Sequence, residues 1–170
     1  MINFTSLSAT SGAADRKSAS DSVLEILGAV DLCTLATIAA TGEPHVSTAY
    51  FCYESEPTLR LWILTPPSAD HSLAIDINPL CAVAVYSTSQ PWGTAKQGLQ
   101  IGAHGSLVSD EHSADPIRAY GSRFTGFPAI LTSPLSLEGL ESRFFEILVH
   151  RIRIFDEVRF GSEVWVDGSL

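Results

Sequence analysis

The sequence is short of positive charge. Its 170 residues include 10 lysines and arginines against 19 aspartates and glutamates, which gives a net charge of −9. Only two lysines occur, Lys17 and Lys96, and the arginines are scattered along the chain. Such a chain repels nucleic-acid backbones and anionic lipid surfaces. We therefore expect no nucleic-acid partner and no membrane partner, and an anionic ligand would need a local electropositive pocket.

Long apolar runs and paired cysteines are also missing. No stretch of about 18 apolar residues occurs, which argues against a membrane-spanning helix. The three cysteines, Cys33, Cys52 and Cys81, form no Cys-x-x-Cys spacing, and we interpret them as buried apolar residues in a reducing compartment. The N-terminus has no basic-then-apolar signal pattern, so we expect a cytoplasmic protein.

The motifs of several common enzyme classes are absent as well. There is no Gly-x-Gly-x-x-Gly, no P-loop and no His-Glu-x-x-His. The segment around Ser106 does not match a nucleophile elbow, because the serine is misplaced. His45, His71 and His104 have no spacing typical of metal ligands, so we expect no metal site. No side chain stands out as a catalytic acid or base, and the catalytic residues stay unassigned.

What is present is a succession of short β-rich segments. Residues 1–17 are predicted to be a flexible tail, because they are rich in small and polar residues, and residues 18–170 a single domain. Ser22 and Glu25 form a capping box for a helix that ends near Asp31. Strands are predicted over 32–39, 45–53, 59–65, 80–88, 98–109, 144–156 and 163–166, and further helices over 69–77 and 110–124. The pattern predicts an α+β fold, a mostly antiparallel barrel of about six strands with short flanking helices.

Three of the strands carry more specific predictions. The strand over 80–88 is apolar throughout, which predicts burial of both its faces. The glycines of the strand over 98–109 predict a bulge that bends it round a barrel corner. The strand over 144–156 is apolar on both faces and suits an interface between two copies of the chain.

The segment WILTPPSADHS has the features of an anion site. A strand delivers Thr65 and Ser68 to a helix N-terminus, where free backbone N–H groups and partial positive charge suit a phosphate. His71 in the first turn adds a donor whose charge depends on pH. The alternative is that Ser68 or Asp70 caps the helix and nothing binds, and the carboxylate of Asp70 counts against a phosphate.

The segment SQPWGTAKQGLQ has the features of a site for a flat ring. Trp92 could stack on such a ring beside the basic Lys96, and the amides of Gln97 and Gln100 could bond the edge of a heterocycle. The alternative is that Trp92 covers the end of the barrel while the glutamines face water.

In this order, the segments resemble the pyridoxamine 5′-phosphate oxidase-like superfamily of FMN-binding split barrels. The resemblance covers about Leu32 to Val166. It is carried by LATIAATGEPHVSTAYF, the strand ending in WILT, the helix ending in INP, the PW…KQGLQIG segment and a long late strand. Small YhbP-like bacterial members look most similar, since they share a histidine at the place of His71, an AY…RF helix and a late strand like FEILVHRIRIFDEVRFG.

The resemblance implies a homodimer with two FMN sites at its interface, each walled by both subunits. The second and third strands would contact the isoalloxazine ring, and the phosphate would lie at the following helix. Gln97 matches a flavin-contacting glutamine and Gln100 is a second candidate, since strand alternation points only one of them into a given pocket. The loop residues Trp92 and Lys96, together with Trp165, would serve the partner's site. The cofactor-binding residues so implied are Thr48, Ala49, Tyr50, Leu64, Thr65, Ser68, His71, Trp92, Lys96, Gln97 and Gln100.

The sequence departs from the oxidase itself at three places. Asp70 and His71 stand where the oxidase has an Arg-Lys pair, Ser47 replaces an arginine, and the C-terminal arginine motif of the vitamer site is missing. Pyridoxamine phosphate oxidation is therefore not expected. The resemblance implies instead an FMN-dependent oxidoreductase whose substrate and electron donor are unknown.

Three alternatives stay open. The first is a non-catalytic flavin binder or redox sensor. The second is a split barrel that uses haem or deazaflavin instead of FMN, with His104 or His150 as axial ligand for haem. The third is a structural dimer whose cofactor site has decayed.

Overall fold

A computed structural model describes residues 1–12 and 14–170 of the protein. The described residues form eight strands, four α-helices and two short 3₁₀ turns at Asp110–His112 and Phe127–Ile130. The strands are β1 (Ser6–Ala9), β2 (Leu32–Ile38), β3 (Pro44–Glu54), β4 (Arg60–Thr65), β5 (Leu80–Tyr86), β6 (Gln97–Leu107), β7 (Arg143–Asp156) and β8 (Trp165–Ser169). The helices are α1 (Arg16–Ala29), α2 (Asp70–Ile77), α3 (Ala114–Arg123) and α4 (Glu157–Phe160).

The sheet closes because β7 is long enough to hold three antiparallel neighbours. One edge of β7 pairs with β6 over Phe145–Asp156. The other edge pairs first with β4 over Arg143–Leu148 and then with β8 over Arg151–Phe155. The ring β7-β4-β3-β2-β5-β6 is a closed six-stranded barrel, and β8 and β1 continue the sheet outside it. The predicted α+β split barrel with short flanking helices is confirmed.

Local sequence explains the connections of this barrel. Gly42 takes a φ of +86° in the turn between β2 and β3, as the sequence predicts, because glycine has no Cβ to oppose it. The register of β6 against β7 shifts between Gly102 and Ala103, which pair with Arg151 and Val149. The extra residue is therefore His150 on β7, so the bulge lies in the strand opposite the glycines and not in β6, where the sequence predicts it.

The barrel interior is one apolar core, closed at opposite ends by α1 and α2. Fully buried side chains from all six barrel strands meet Leu27 of α1 and Ile75 of α2 in one cluster. Each large apolar side chain buried in this way stabilises the fold by about 1.5–3 kcal/mol. Ile75 packs so closely on β6 that a Cβ on Gly105 would lie 3.0 Å from its Cδ1 atom. The three cysteines are free and buried, and burial raises the pKa of the Cys33 thiol to about 12.

The N-terminal segment differs from the predicted flexible tail. Ser6–Ala9 pairs with β8, and the side chains of Ile2 and Phe4 are buried in the core. Apolar residues at alternate positions 2 and 4 are a strand-like signal that the surrounding serines and threonines obscured. Helix α1 also begins earlier than predicted, because Asp15 caps it by accepting from the Ser18 N–H at 2.9 Å. Ser22 lies inside the helix and donates to buried Asp156 at 2.7 Å.

Two further predictions need correction. Strand β5 is buried on one face only, since Leu80 and Tyr86 are about half exposed on the outside of the barrel. A strand with apolar residues on both faces is expected whether its outer face is covered by other protein or is left exposed in a single chain, so composition alone does not predict which of the two occurs. The predicted helix over 110–124 is divided into a 3₁₀ turn and α3, with Ser113 between them.

Arg123 ties α3 to the end of α1. Helix α1 has no basic residue in its last turn, and its final carbonyl groups need donors from elsewhere. The Arg123 guanidinium donates to the carbonyl oxygens of Leu27, at 2.8 Å, and of Val30. It also lies 4.6 Å from the centroid of the Phe51 ring. The largely buried side chain of Arg123 therefore both caps the C-terminal end of α1 and packs on the Phe51 ring of β3.

We expect Arg123→Ala to lower the free energy of unfolding by about 2–4 kcal/mol, because buried carbonyls lose charged donors. Arg123→Lys should recover only part of this, since an ammonium lacks the planar fork. Urea denaturation measures both. Arg118→Ala is the matched control, because Arg118 lies exposed on the same helix and, among the described residues, its ion pair is with Asp115. Equal losses for the two alanine variants would contradict this role.

Candidate functional site

The start of α2 meets the end of β4 at one mouth of the barrel. Thr65, the last residue of β4, is buried, and its Oγ1 hydrogen bonds to Nε2 of His71 at 2.8 Å. The N-cap of α2 is Ala69, and among the described residues no side chain bonds to the free N–H groups of its first turn. Capping by Ser68 or Asp70, the alternative interpretation of the sequence, is therefore not what the structure has. The free N–H groups point to a place that accepts an anion.

The surroundings of His71 lower its pKa and so favour the uncharged imidazole. Burial lowers the pKa of His71, the nearby His45 imidazole lowers it further, and the carboxylate of Asp70 opposes both. The His45 and His71 rings are nearly parallel, with centroids 6.5 Å apart. A bound anion between or beside these imidazoles would reverse the balance and favour their charged forms.

Two hydroxyl groups on the inner face of β2 and β3 lack partners. Thr37 lies directly opposite His45 in the strand register, and Ser47 lies two residues further along β3 on the same face. Thr37 Oγ1 and Ser47 Oγ are buried, and neither hydrogen bonds to any group in the described part of the chain. Thr37 is not among the residues predicted from the sequence to bind a cofactor. The sequence signal that could have found it is that the polar residues Thr37, His45 and Ser47 alternate with outward-facing residues along β2 and β3.

The barrel is open beside this mouth. In residues 1–12 and 14–170, β3 pairs with β4 only over Phe51–Glu54, whereas its pairing with β2 extends from Pro44 to Tyr50. The other edge of β3 over 44–50 is thus free at the place where α2 begins. Thr48 and Tyr50 project from this stretch to the outside and are exposed, while Ala49 packs inward on the core.

The outer face of the sheet carries a groove of about 490 Å³. Its floor consists of small residues on three neighbouring strands, Ala36, Ala82, Ala84 and Gly102. Gln100 lies exposed on its wall, directly opposite Ala84 on one side and Arg153 on the other. A flat floor with an amide at its side suits a planar ligand.

One wall of the groove carries Arg151, Arg153 and His150 together with the acidic Asp167. Arg153 donates two hydrogen bonds to Asp167, at 2.8 and 3.0 Å, which leaves Arg151 as the arginine of this wall without an ion pair among the described residues. The His150 and His104 rings lie with their centroids 4.9 Å apart. Partial burial, His104 and Arg151 each lower the pKa of His150.

The loop residues implied by the resemblance lie at the opposite end of the barrel. The Gln97 amide donates to buried Asp156 at 2.9 Å, and Lys96 Nζ lies 3.5 Å from Glu157. Trp92 is fully exposed, so it does not cover the barrel end. Within a single chain these three residues are separated from α2, and of the two glutamines it is Gln100 that lies in the groove.

The remaining implied residues fall between these places. Leu64 packs partly buried against the apolar cluster beneath α3, and Ser68 is exposed just before α2. The Trp165 ring packs on the Phe155 ring, with their centroids 5.1 Å apart, and its centroid lies 5.6 Å from the guanidinium carbon of Arg153. The structure therefore brings together Thr65 and His71, leaves Ser68 exposed just before the same helix, and separately sets Thr48, Tyr50 and Gln100 on the outer face.

These features define a split-barrel protein whose free strand edge, uncapped helix start and outer groove lie on one barrel. A sequence model of the pyridoxamine 5′-phosphate oxidase family matches residues 19–154, which is most of the chain. The chain belongs to this family. No curated protein sequence matches it significantly. No helix in the described residues is long and apolar enough to cross a membrane.

Solved structures agree with the fold. The haem-storage protein HutZ from Vibrio cholerae is 20% identical with a TM-score of 0.62, over 86% of this chain and 93% of that one. A haem-binding protein from Mycobacterium smegmatis is 15% identical with a TM-score of 0.66, over 83% of this chain and 55% of that one. An FAD-binding protein from Mesorhizobium loti is 17% identical with a TM-score of 0.59, over 96% and 99%. At these identities the similarity shows the shared fold alone.

The lowered pKa of His71 predicts an acid-sensitive contribution to stability. Below about pH 6.5 the unfolded chain binds a proton at this position more readily than the folded protein does, so folding weakens as the pH falls. In His71→Gln this contribution is absent, and its melting temperature should fall less between about pH 7.5 and pH 5.5 than that of the wild type. His112→Gln is the control, since His112 is exposed. A fall as large in His71→Gln as in the wild type would contradict the assignment.

Proposed function

We propose that the protein binds FMN and is a flavin-dependent oxidoreductase. The observation that carries this proposal is the uncapped start of α2 beside the Thr65–His71 hydrogen bond and the unpartnered hydroxyls of Thr37 and Ser47. These groups fit a phosphate ester, which accepts hydrogen bonds from N–H and O–H donors and needs no metal ion. Ser68, exposed at the entrance to α2, adds a further hydroxyl.

The outer face next to this mouth fits the flavin ring. Thr48 and Tyr50 border the free edge of β3, and the alanine and glycine floor of the groove leaves space for a planar group. Gln100 is positioned to hydrogen bond to the edge of a heterocycle. A bound flavin would supply hydride and electron transfer, while the protein orients the ring and shields it from water.

A second copy of the chain is proposed to cover the outer face. Exposed apolar side chains are distributed over β2, β3, β5 and β7 of this face, on the outside of the barrel, and one chain leaves them to water. A homodimer would bury them and bring the partner's loop, with Trp92 and Lys96, toward the groove. The free, buried cysteines support a reducing compartment, and we propose a cytoplasmic location.

Haem is the second candidate ligand. The adjacent His104 and His150 rings supply an axial nitrogen on the outer face, and Arg151 offers a positive partner for a carboxylate. Two proteins of the same fold are described as storing or binding haem. This candidate uses the same groove and therefore competes with the flavin for it.

We expect the purified protein, mixed with excess FMN and desalted, to retain about one flavin per chain by its visible spectrum. Gln100→Leu should weaken retention, because a polar contact to the ring is lost, while His112→Leu, at an exposed residue that does not line the groove, should not. Reduction of the retained flavin by NADH or NADPH would support an enzyme over a non-catalytic binder. A colourless protein would refute the flavin. A Soret band on haem addition, lost in His150→Ala, would favour haem.

We expect a dimer in sedimentation velocity at micromolar concentration. Leu80→Glu places a charge on the outer face and should shift the protein to monomer, because a buried unpaired carboxylate is costly. Val158→Glu is the matched control, since Val158 is even more exposed but lies on α4. A monomeric wild type, or equal dissociation of both variants, would refute the proposed interface.

A further inference from the structure

The inner side of the α2 mouth contains more unpaired polar groups than a closed barrel end requires. Thr37 is 1% exposed, and its hydroxyl has no partner in the described residues. The Ser47 hydroxyl beside it is in the same state. Buried hydroxyls in folded proteins are nearly always hydrogen bonded, so such a group marks a place where a ligand supplies the missing partner.

The pairing of β2 with β3 places the Thr37 and Ser47 side chains on the inner face of the barrel, on the side covered by the first turn of α2. Thr37 and His45 are directly opposed across β2 and β3, which puts both side chains on the inner face at the mouth. Helix α2 packs over β2, β3 and β6 at this end, and His71 in its first turn brings its ring parallel to His45. Two hydroxyls, two imidazoles and the free N–H groups of the helix start thus converge, with Thr65 bonded to one imidazole.

The charges around His71 do not suffice for a phosphate dianion. On α2 itself, the charged groups near His71 are Asp70 and Asp76. The titratable groups on the elements packed around α2 are His45 on β3, Glu43 in the turn before β3, Cys81 on β5 and Arg143 on β7. His104 on β6 points to the outer face. Arg143 lies opposite Thr65 but donates to the Leu140 carbonyl and lies 3.4 Å from Asp110. The imidazoles are therefore the groups best placed to gain positive charge against the ligand.

We propose that a phosphate ester binds at the start of α2 together with a proton taken up by the His45–His71 pair, and that the Thr37 and Ser47 hydroxyls complete its donor set. This inference rests on the proposed flavin function and adds its regulation: the site holds the phosphate tightly near pH 6.5 and releases it as the pH rises. The second ionisation of a phosphate ester, near pH 6, sets the lower limit of this range.

The test compares FMN with riboflavin, which has the same ring and no phosphate. Binding is followed by quenching of flavin fluorescence from about pH 6.5 to pH 8.5, and one proton taken up gives at most a tenfold change in Kd per pH unit. We expect FMN to bind about tenfold more weakly at pH 8 than at pH 6.5, and riboflavin to show little change. His45→Gln and His71→Gln should each flatten the FMN profile, while His112→Gln, an exposed histidine elsewhere, should not.

Thr37→Val separates ligand binding from folding. Valine has the shape of threonine without the hydroxyl, and this hydroxyl makes no hydrogen bond to any group in residues 1–12 and 14–170. The variant should therefore keep or raise the melting temperature, yet bind FMN several-fold more weakly with riboflavin binding unchanged.

The outcomes distinguish the two proposals. If FMN binds but its pH profile is the same in the wild type, His45→Gln and His71→Gln, the proton-coupled site is wrong and the flavin function stands. The same conclusion follows if Thr37→Val weakens FMN and riboflavin equally. If neither flavin binds at any pH, both the function and the inference are wrong.

Discussion

The backbone hydrogen bonding of β7 is the constraint on which the rest of the structure depends. This 14-residue strand pairs with β6 along one edge and shares its other edge between β4 and β8. Both edges are satisfied, so the sheet closes into a barrel and also extends beyond it. The division falls near Leu148. Alternate residues point into the barrel on both sides of it, Phe145, Ile147 and Val149 before the bulge at His150, and Ile152 and Ile154 after it.

The open part of the barrel follows from this division. Strand β4 is only six residues long and ends at Thr65, while β3 continues past it to Pro44 with a free edge. A barrel end left open in this way needs a cover, and α2 provides it through Ile75 packed against Gly105. The polar residues at this end are accordingly neither core nor surface. They lie under a helix start whose first-turn N–H groups have no side-chain cap in the part of the chain that the structure describes.

The acidity of the chain also bears on the site. With a net charge of −9, the protein has little general attraction for an anionic cofactor, and the positive potential must be local. At α2 it comes from backbone N–H groups and from imidazoles whose charge depends on pH. On the outer face it comes from Arg151. Lysine and arginine at the position of Asp70 and His71 would have fixed this charge permanently, whereas histidine makes it conditional.

The sequence by itself determined the strands of the barrel, the turn at Gly42 and the place of Thr65 and His71 on either side of the junction between β4 and α2, because these depend on local periodicity and turn chemistry. Only the tertiary structure decided which distant residues share a face. It joined Thr37 and His45 to α2, set Gln100 rather than Gln97 in the groove, and paired the N-terminal strand with β8. Alternation along a strand defines two faces, but which of them turns inward depends on neighbours far away in the chain.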